Sequence, residues 1–143
     1  MRILVVGGTG TVGRAAISGL SKGHDIVVAG RTSGDVTVDV MDEASVAALF
    51  KAVGRIDALV ACTGHSHFGP VDAMTPTQFL DGLKDKVMGQ INLALIGLPF
   101  IADGGSITLT SGILSSDPVR QGSNAAACDG ALDSFVIGAA IEM

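Results

Sequence analysis

Arg2-Ile-Leu-Val-Val-Gly-Gly-Thr-Gly-Thr-Val-Gly13, at the start of a chain of 143 residues, is the stretch on which the fold turns. Ile3 to Val6 form a short, uninterrupted apolar run, the composition of a strand buried on both faces. Glycines follow at 7, 8, 10 and 13. Beyond Gly13 the apolar residues take helical spacing at Ala15, Ala16 and Leu20, and Gly23 supplies a stop. Strand, glycine turn and helix in this order open a dinucleotide-binding βαβ unit. There glycine admits a pyrophosphate close to the backbone, and the helix N–H groups face its charge. Gly7, Thr9, Gly10, Thr11, Val12 and Gly13 are accordingly candidate cofactor-binding residues. A glycine turn that only packs strand against helix is the alternative; a second strand candidate, about twenty residues later, favours the ligand.

That second strand is Asp25 to Ala29, followed by Gly30-Arg31-Thr32-Ser33. Dinucleotide folds that bind NAD place an acid here, on the ribose 2′-hydroxyl. This chain has Arg31, backed by Thr32, and a guanidinium pairs with a 2′-phosphate where an acid would repel it. NADP is therefore expected rather than NAD.

Val36 to Val40 alternates like a third strand, and Asp42 caps a helix over Glu43 to Val53. Ile56 to Ala61 reads as a fourth strand ending at Cys62-Thr63-Gly64, where an open α/β sheet binds its ligand. The loop His65-Ser66-His67-Phe68-Gly69-Pro70 holds two histidines without a carboxylate cluster, so no metal site is expected. Thr75-Pro76-Thr77 starts a long helix towards Leu98, and Ser106 to Thr110 is the fifth strand, delivering Ser111 and Gly112. The last segment, Ala125 to Met143, is apolar on nearly every side and needs covering, which a subunit interface would do. Alternating strands and helices of this kind imply an α/β protein: one domain, residues 1–143, with a three-layer, doubly wound parallel sheet.

Composition narrows the partners. The net charge is −5, no Lys/Arg cluster occurs, and nucleic acid is not expected as a partner. The longest apolar stretch, Leu93 to Ala102, contains Gly97 and Pro99 and is too short to span a bilayer. The first apolar run meets its glycine turn too early for a signal peptide, so a cytoplasmic location is expected, with Cys62 and Cys128 as reduced, buried thiols.

Together the segments resemble the short-chain dehydrogenase/reductase family over essentially the whole chain. Val6 to Gly13 is similar to its glycine loop, and Val38-Asp39-Val40 to its adenine-side Asp-Val pair. Asp57 to Gly64 resembles its Asn-Asn-Ala-Gly region, Gly105 to Ser111 the strand ending in its catalytic serine, and Ala131 to Phe135 the helix after its Tyr-x-x-x-Lys motif. The resemblance implies a Rossmann fold of about five strands here, with the C-terminal strands missing after Met143. It also implies a nicotinamide-dependent oxidoreductase acting on a small carbonyl or alcohol, as a homodimer or homotetramer through helices 77–98 and 125–143. Asp39, Val40, Cys62, Thr63 and Gly64 join the cofactor residues on this basis.

The departures concern the chemistry. Ala61 and Cys62 stand for the asparagines, Lys86 for the family's helix asparagine, Ala125 or Asn124 for the tyrosine, and Asp129 or Cys128 for the lysine. The chain has no tyrosine at all. Hydride delivery to a carbonyl leaves an alkoxide that must take a proton from the protein or solvent. Lys86 and Ser111 are the candidate catalytic residues, Lys86 as the acid if desolvated and Ser111 as a hydrogen-bond donor; the plain alternatives are a solvated helix lysine and a turn hydroxyl. A second reading is a non-catalytic dinucleotide-binding sensor or scaffold. Side chains of Lys86 and Ser111 converging on the cofactor would favour the enzyme.

Overall fold

The computed structural model describes residues 1–143. Five strands, β1 (Arg2–Val6), β2 (Asp25–Gly30), β3 (Val36–Thr37), β4 (Ile56–Ala61) and β5 (Ile101–Leu109), form one parallel sheet in the order β3-β2-β1-β4-β5. Five α-helices connect and follow them: α1 (Thr11–Leu20), α2 (Glu43–Val53), α3 (Pro76–Gly82), α4 (Gly89–Gly97) and α5 (Ser123–Ala139). The chain leaves β1 towards β2 and β3 on one side, then returns to β4 and β5 on the other. The strand order thus reverses beside β1, and the crevice at the carboxyl ends of β1 and β4 is where such a sheet takes a ligand.

Both faces of β1 are buried, as its unbroken apolar run requires. Leu4 and Val6 face a core completed by Leu59, Val46, Leu49, Phe50 and Leu93, while Ile3 and Val5 face Ala58 and the α1 residues Ile17 and Leu20. A third cluster, Val87, Cys128 and Leu132, attaches α5 to the preceding helical layer. A side chain on Gly97 would run into the Phe50 ring, so glycine there lets α4 lie close against α2.

β5 runs from Ile101 to Leu109 instead of the expected Ser106 to Thr110, and three further boundaries differ from the sequence expectations. β3 ends at Thr37 instead of Val40, because the Asp39 N–H donates to Ser45 Oγ (3.0 Å) and the Asp39 carboxylate accepts from the Met41 N–H (3.0 Å). Those local bonds compete with a strand ladder. The helix expected over 77–98 is three pieces: α3, capped by a reciprocal Thr75–Gln78 pair, a π-helical turn over Leu83–Met88, and α4. Finally, α5 starts at Ser123 and ends at Ala139, so it is shifted from the expected 125–143.

Candidate dinucleotide and proton-transfer site

The glycine loop is shaped by three contacts a side chain would block. Gly7 has φ +80, and a Cβ there would strike the Cys62 carbonyl. A Cβ on Gly13 would run into the Gly7 carbonyl, and one on Gly8 would meet Val28 at 2.7 Å and Ile17 at 2.8 Å. Gly8 and Gly13 therefore serve close packing of helix on strand. Gly10 differs: its backbone is extended (φ −78, ψ 176), and an added Cβ would have only the Gly7 carbonyl near it, at 3.3 Å. It is the N-cap of α1, no side chain caps the helix there, and the first-turn N–H groups have no intrahelical partners.

Above this loop lies a cavity of about 340 Å³, lined by the strand ends rather than by one motif. Val6, Gly7, Thr9, Gly10, Thr11 and Val12 come from the β1–α1 turn, Gly30 and Arg31 from β2, Val38 and Val40 from beyond β3, and Cys62 to His65 from beyond β4. An uncapped helix N-terminus, three threonine hydroxyls, an exposed guanidinium paired with no carboxylate and three buried valines fit a dinucleotide: charge for phosphates, apolar surface for a base. Of the expected cofactor residues, Gly13, Thr32 and Asp39 do not line the cavity. Gly13 packs beneath it, Thr32 is exposed, and Asp39 holds its own turn. Val6, Gly30, Val38 and His65 line it without having been named as cofactor residues; Val38, within the Val38-Asp39-Val40 stretch, was the most legible of them.

The proton-transfer candidates sit behind the cavity. Lys86, on the π-helical turn, is no solvated helix lysine: its Nζ donates to Asp129 Oδ1 at 2.5 Å, with its side chain 16 % exposed and that of Asp129 2 %. Asp129 Oδ2 accepts from the Leu114 N–H (3.3 Å), and the Ser111 hydroxyl donates to the Asp129 carbonyl (3.1 Å). Lys86 and Ser111 thus converge on Asp129 of α5, neither on solvent nor on the cavity lining. The end of β5 is held by Gln90, fully buried, whose Oε1 accepts from the Thr110 N–H (2.8 Å) and whose Nε2 donates to the Thr110 carbonyl (2.9 Å). Sequence reasoning missed Gln90; a glutamine on a helix whose only other polar residue is Asn92 was its only signal.

The tyrosine-equivalent positions are structural. Asn124 is fully buried, its Oδ1 accepting from the His67 N–H (2.8 Å) and its Nδ2 donating to the Phe79 carbonyl (2.8 Å), and Ala125 packs beside it. His65 meets Asp85 at 3.5 Å, and no group of three or more His, Cys, Asp or Glu side chains is arranged to hold a metal. The cysteines separate. Cys62 is half-buried at the cavity, whereas burial pushes the Cys128 thiol up from its ordinary range, with weaker opposing effects from Ser66 and Lys86. Iodoacetamide at neutral pH should therefore alkylate Cys62 at least tenfold faster than Cys128, read by peptide mass spectrometry.

A parallel β3-β2-β1-β4-β5 sheet with a glycine-turned cavity at its switch point is a Rossmann-type α/β fold. A family model described as enoyl-(acyl carrier protein) reductase matches residues 15–143. The protein lin1944 from Listeria innocua is 43% identical, with TM-score 0.98 over 100% of this chain and 72% of that one. A small-chain dehydrogenase solved in complex with NADPH is 32% identical, with TM-score 0.91 over 99% of this chain and 64% of that one. A short-chain type dehydrogenase/reductase from Mycobacterium ulcerans shares the fold at 22% identity and TM-score 0.89, covering 99% and 62%. No curated protein matches the chain by sequence. The chain belongs to the short-chain dehydrogenase/reductase family and spans about two thirds of the length of these relatives. No helix is long and apolar enough to cross a membrane.

Proposed function

We propose that this chain binds NADP and belongs to an oxidoreductase that interconverts a small carbonyl and its alcohol. The observation that carries the reading is the cavity joining the α1 N-terminus to Arg31 and to Val38 and Val40, whose lining suits the phosphates and adenine of a dinucleotide. The NADPH complex of the 32% identical dehydrogenase supports it. In use, Thr9, Gly10, Thr11 and Val12 would cradle the pyrophosphate, Arg31 the 2′-phosphate, Val38 and Val40 the adenine, and Thr63 and Gly64 the far ribose. Reduced nicotinamide, when bound, supplies a hydride; the chain must orient the carbonyl and see its oxygen protonated.

Calorimetric titration with NADPH and NADH tests the binding, and a carbonyl panel followed by NADPH absorbance tests the chemistry. Binding of neither dinucleotide sinks the whole reading. NADP+ should also slow alkylation of Cys62 at least fivefold and leave Cys128 unaffected. A second reading, a non-catalytic dinucleotide sensor or scaffold, is favoured by one observation: Lys86 and Ser111 are engaged by Asp129 and do not line the cavity. Binding without turnover of any carbonyl would select it.

We also infer a homodimer or homotetramer through α4 and α5. Leu95 and Ile137 are 60 % and 72 % exposed on these helices, and Val136 lies nearby at 46 %. Light scattering should report more than one subunit, and Leu95→Glu with Ile137→Glu should raise the subunit dissociation constant at least tenfold.

A further inference from the structure

A second cavity, of about 220 Å³, adjoins the dinucleotide cavity, and no apolar residue lines it. One wall is the loop His65, Ser66 and His67; the other is Gln78, Asp81 and Asp85, on α3 and the π-helical turn. His65 lines both cavities, so the two meet where the chain leaves β4. Asn124, fully buried, fixes the walls relative to each other. Its Oδ1 accepts from the His67 N–H (2.8 Å) on the loop, and its Nδ2 donates to the Phe79 carbonyl (2.8 Å) on α3. Gly82 leaves room for it, since a Cβ there would run into the Asn124 amide. The cavity is therefore preformed, as small-molecule sites usually are.

The lining selects among ligands. Asp81 and Asp85 stand four residues apart, and like charges near that spacing repel unless a donor bridges them. Asp85 Oδ1 is buried with no partner, and its Oδ2 has only His65 Nδ1, at 3.5 Å. A buried acceptor in that state is unfavourable, and a ligand donor relieves it. Gln78 uses its Oε1 on the Thr75 N–H (2.9 Å), which leaves its NH2 as a donor beside the carboxylates. Acceptors and donors interleaved in this way suit hydroxyls, which do both. Two carboxylates with no lysine or arginine in the lining repel an anion, and an alkyl chain finds no apolar surface to pack on.

We propose that this cavity binds a small, uncharged, polyhydroxylated ketone or aldehyde, and that this compound is the carbonyl substrate of the adjoining dinucleotide site. Its being the substrate rests on the oxidoreductase reading; its occupying the cavity does not.

The chain has three histidines, and His24, just before β2, lies at the opposite end of the parallel strands. Imidazole proton NMR therefore reports on the site with an internal control. The probes are the four-carbon ketones erythrulose, butanone and 2-oxobutyrate, which carry hydroxyls, no polar tail and a carboxylate respectively. Erythrulose should shift the His65 and His67 resonances saturably and leave His24 unmoved, and the other two should bind at least tenfold more weakly. A hydrogen bond to a charged group is worth about tenfold in affinity. Asp81→Asn, at an exposed position that folding tolerates, should accordingly weaken erythrulose binding at least fivefold. No shift at His65 and His67, butanone binding as well as erythrulose, or unchanged affinity in Asp81→Asn would each overturn the proposal. NADPH, titrated separately, should move His65 and spare His67, which lines only the polar cavity. If NADPH moves neither while erythrulose binds, the dinucleotide reading falls and the polar site stands. If both bind and erythrulose does not oxidise NADPH, the substrate assignment is refuted and the site itself upheld.

Discussion

Gly13→Ala should leave little folded protein, while Gly10→Ala, three residues away, should fold normally and lose at least tenfold in dinucleotide affinity. The methyl at Gly13 would be driven into the Gly7 carbonyl and to 2.5 Å from the Gly8 Cα, and backbone atoms on a strand-to-helix turn cannot step aside. Overpacking against backbone costs about 3 kcal/mol, at the upper end for core insertions. On a marginally stable domain that is a large fraction of the total. At Gly10 the extended backbone suits alanine, and only the Gly7 carbonyl is within reach. Loss of an N-cap glycine costs about 1 kcal/mol at most, which lowers the melting temperature by about 4 °C at most. The methyl instead stands in the cavity where a phosphate must approach the N–H groups, and at least a tenfold loss of NADPH affinity is expected, about 1.4 kcal/mol. Thermal melts and calorimetric titration of the two variants separate the outcomes; Gly10→Ala with full NADPH affinity would contradict the phosphate assignment.

Arg31→Asp should reverse the cofactor preference. Removing the guanidinium forfeits charge-assisted hydrogen bonds to a 2′-phosphate, worth about 1.5–3 kcal/mol, and the new carboxylate repels that phosphate. NADPH affinity should fall about 100-fold, or 2.7 kcal/mol. NADH affinity should hold or improve, since a carboxylate accepts from the ribose hydroxyls. Arg31 is exposed, so salt screens its charge, and the NADPH preference of the unmodified protein should shrink as ionic strength rises. Equal affinities for the two dinucleotides at low salt would discard the 2′-phosphate role.

Local chemistry made much of the fold legible. The apolar run Ile3 to Val6 has the composition of a strand covered on both sides, and the glycines at 7, 8, 10 and 13 that of a tight turn into a helix. Asp42 and Thr75 announced their helices by capping chemistry, and both caps are made. The errors fell where side chains bond locally or where the helix departs from regular geometry. Asp39 and Ser45 divert the backbone of a strand-like segment, and the π-helical turn at Leu83–Met88 has no periodicity signal that distinguishes it from α-helix.

The amino-acid sequence by itself determined the strand–turn–helix at the start, the alternation that makes a parallel sheet, the absence of tyrosine and the cation at position 31, because each depends on residue type or short spacing. Only the tertiary structure decided which residues line the cavity, and that Lys86 faces Asp129 and not water. Those two lie 43 positions apart, on helices brought together by the burial of Val87, Cys128 and Leu132, and no local rule couples charges across such a distance.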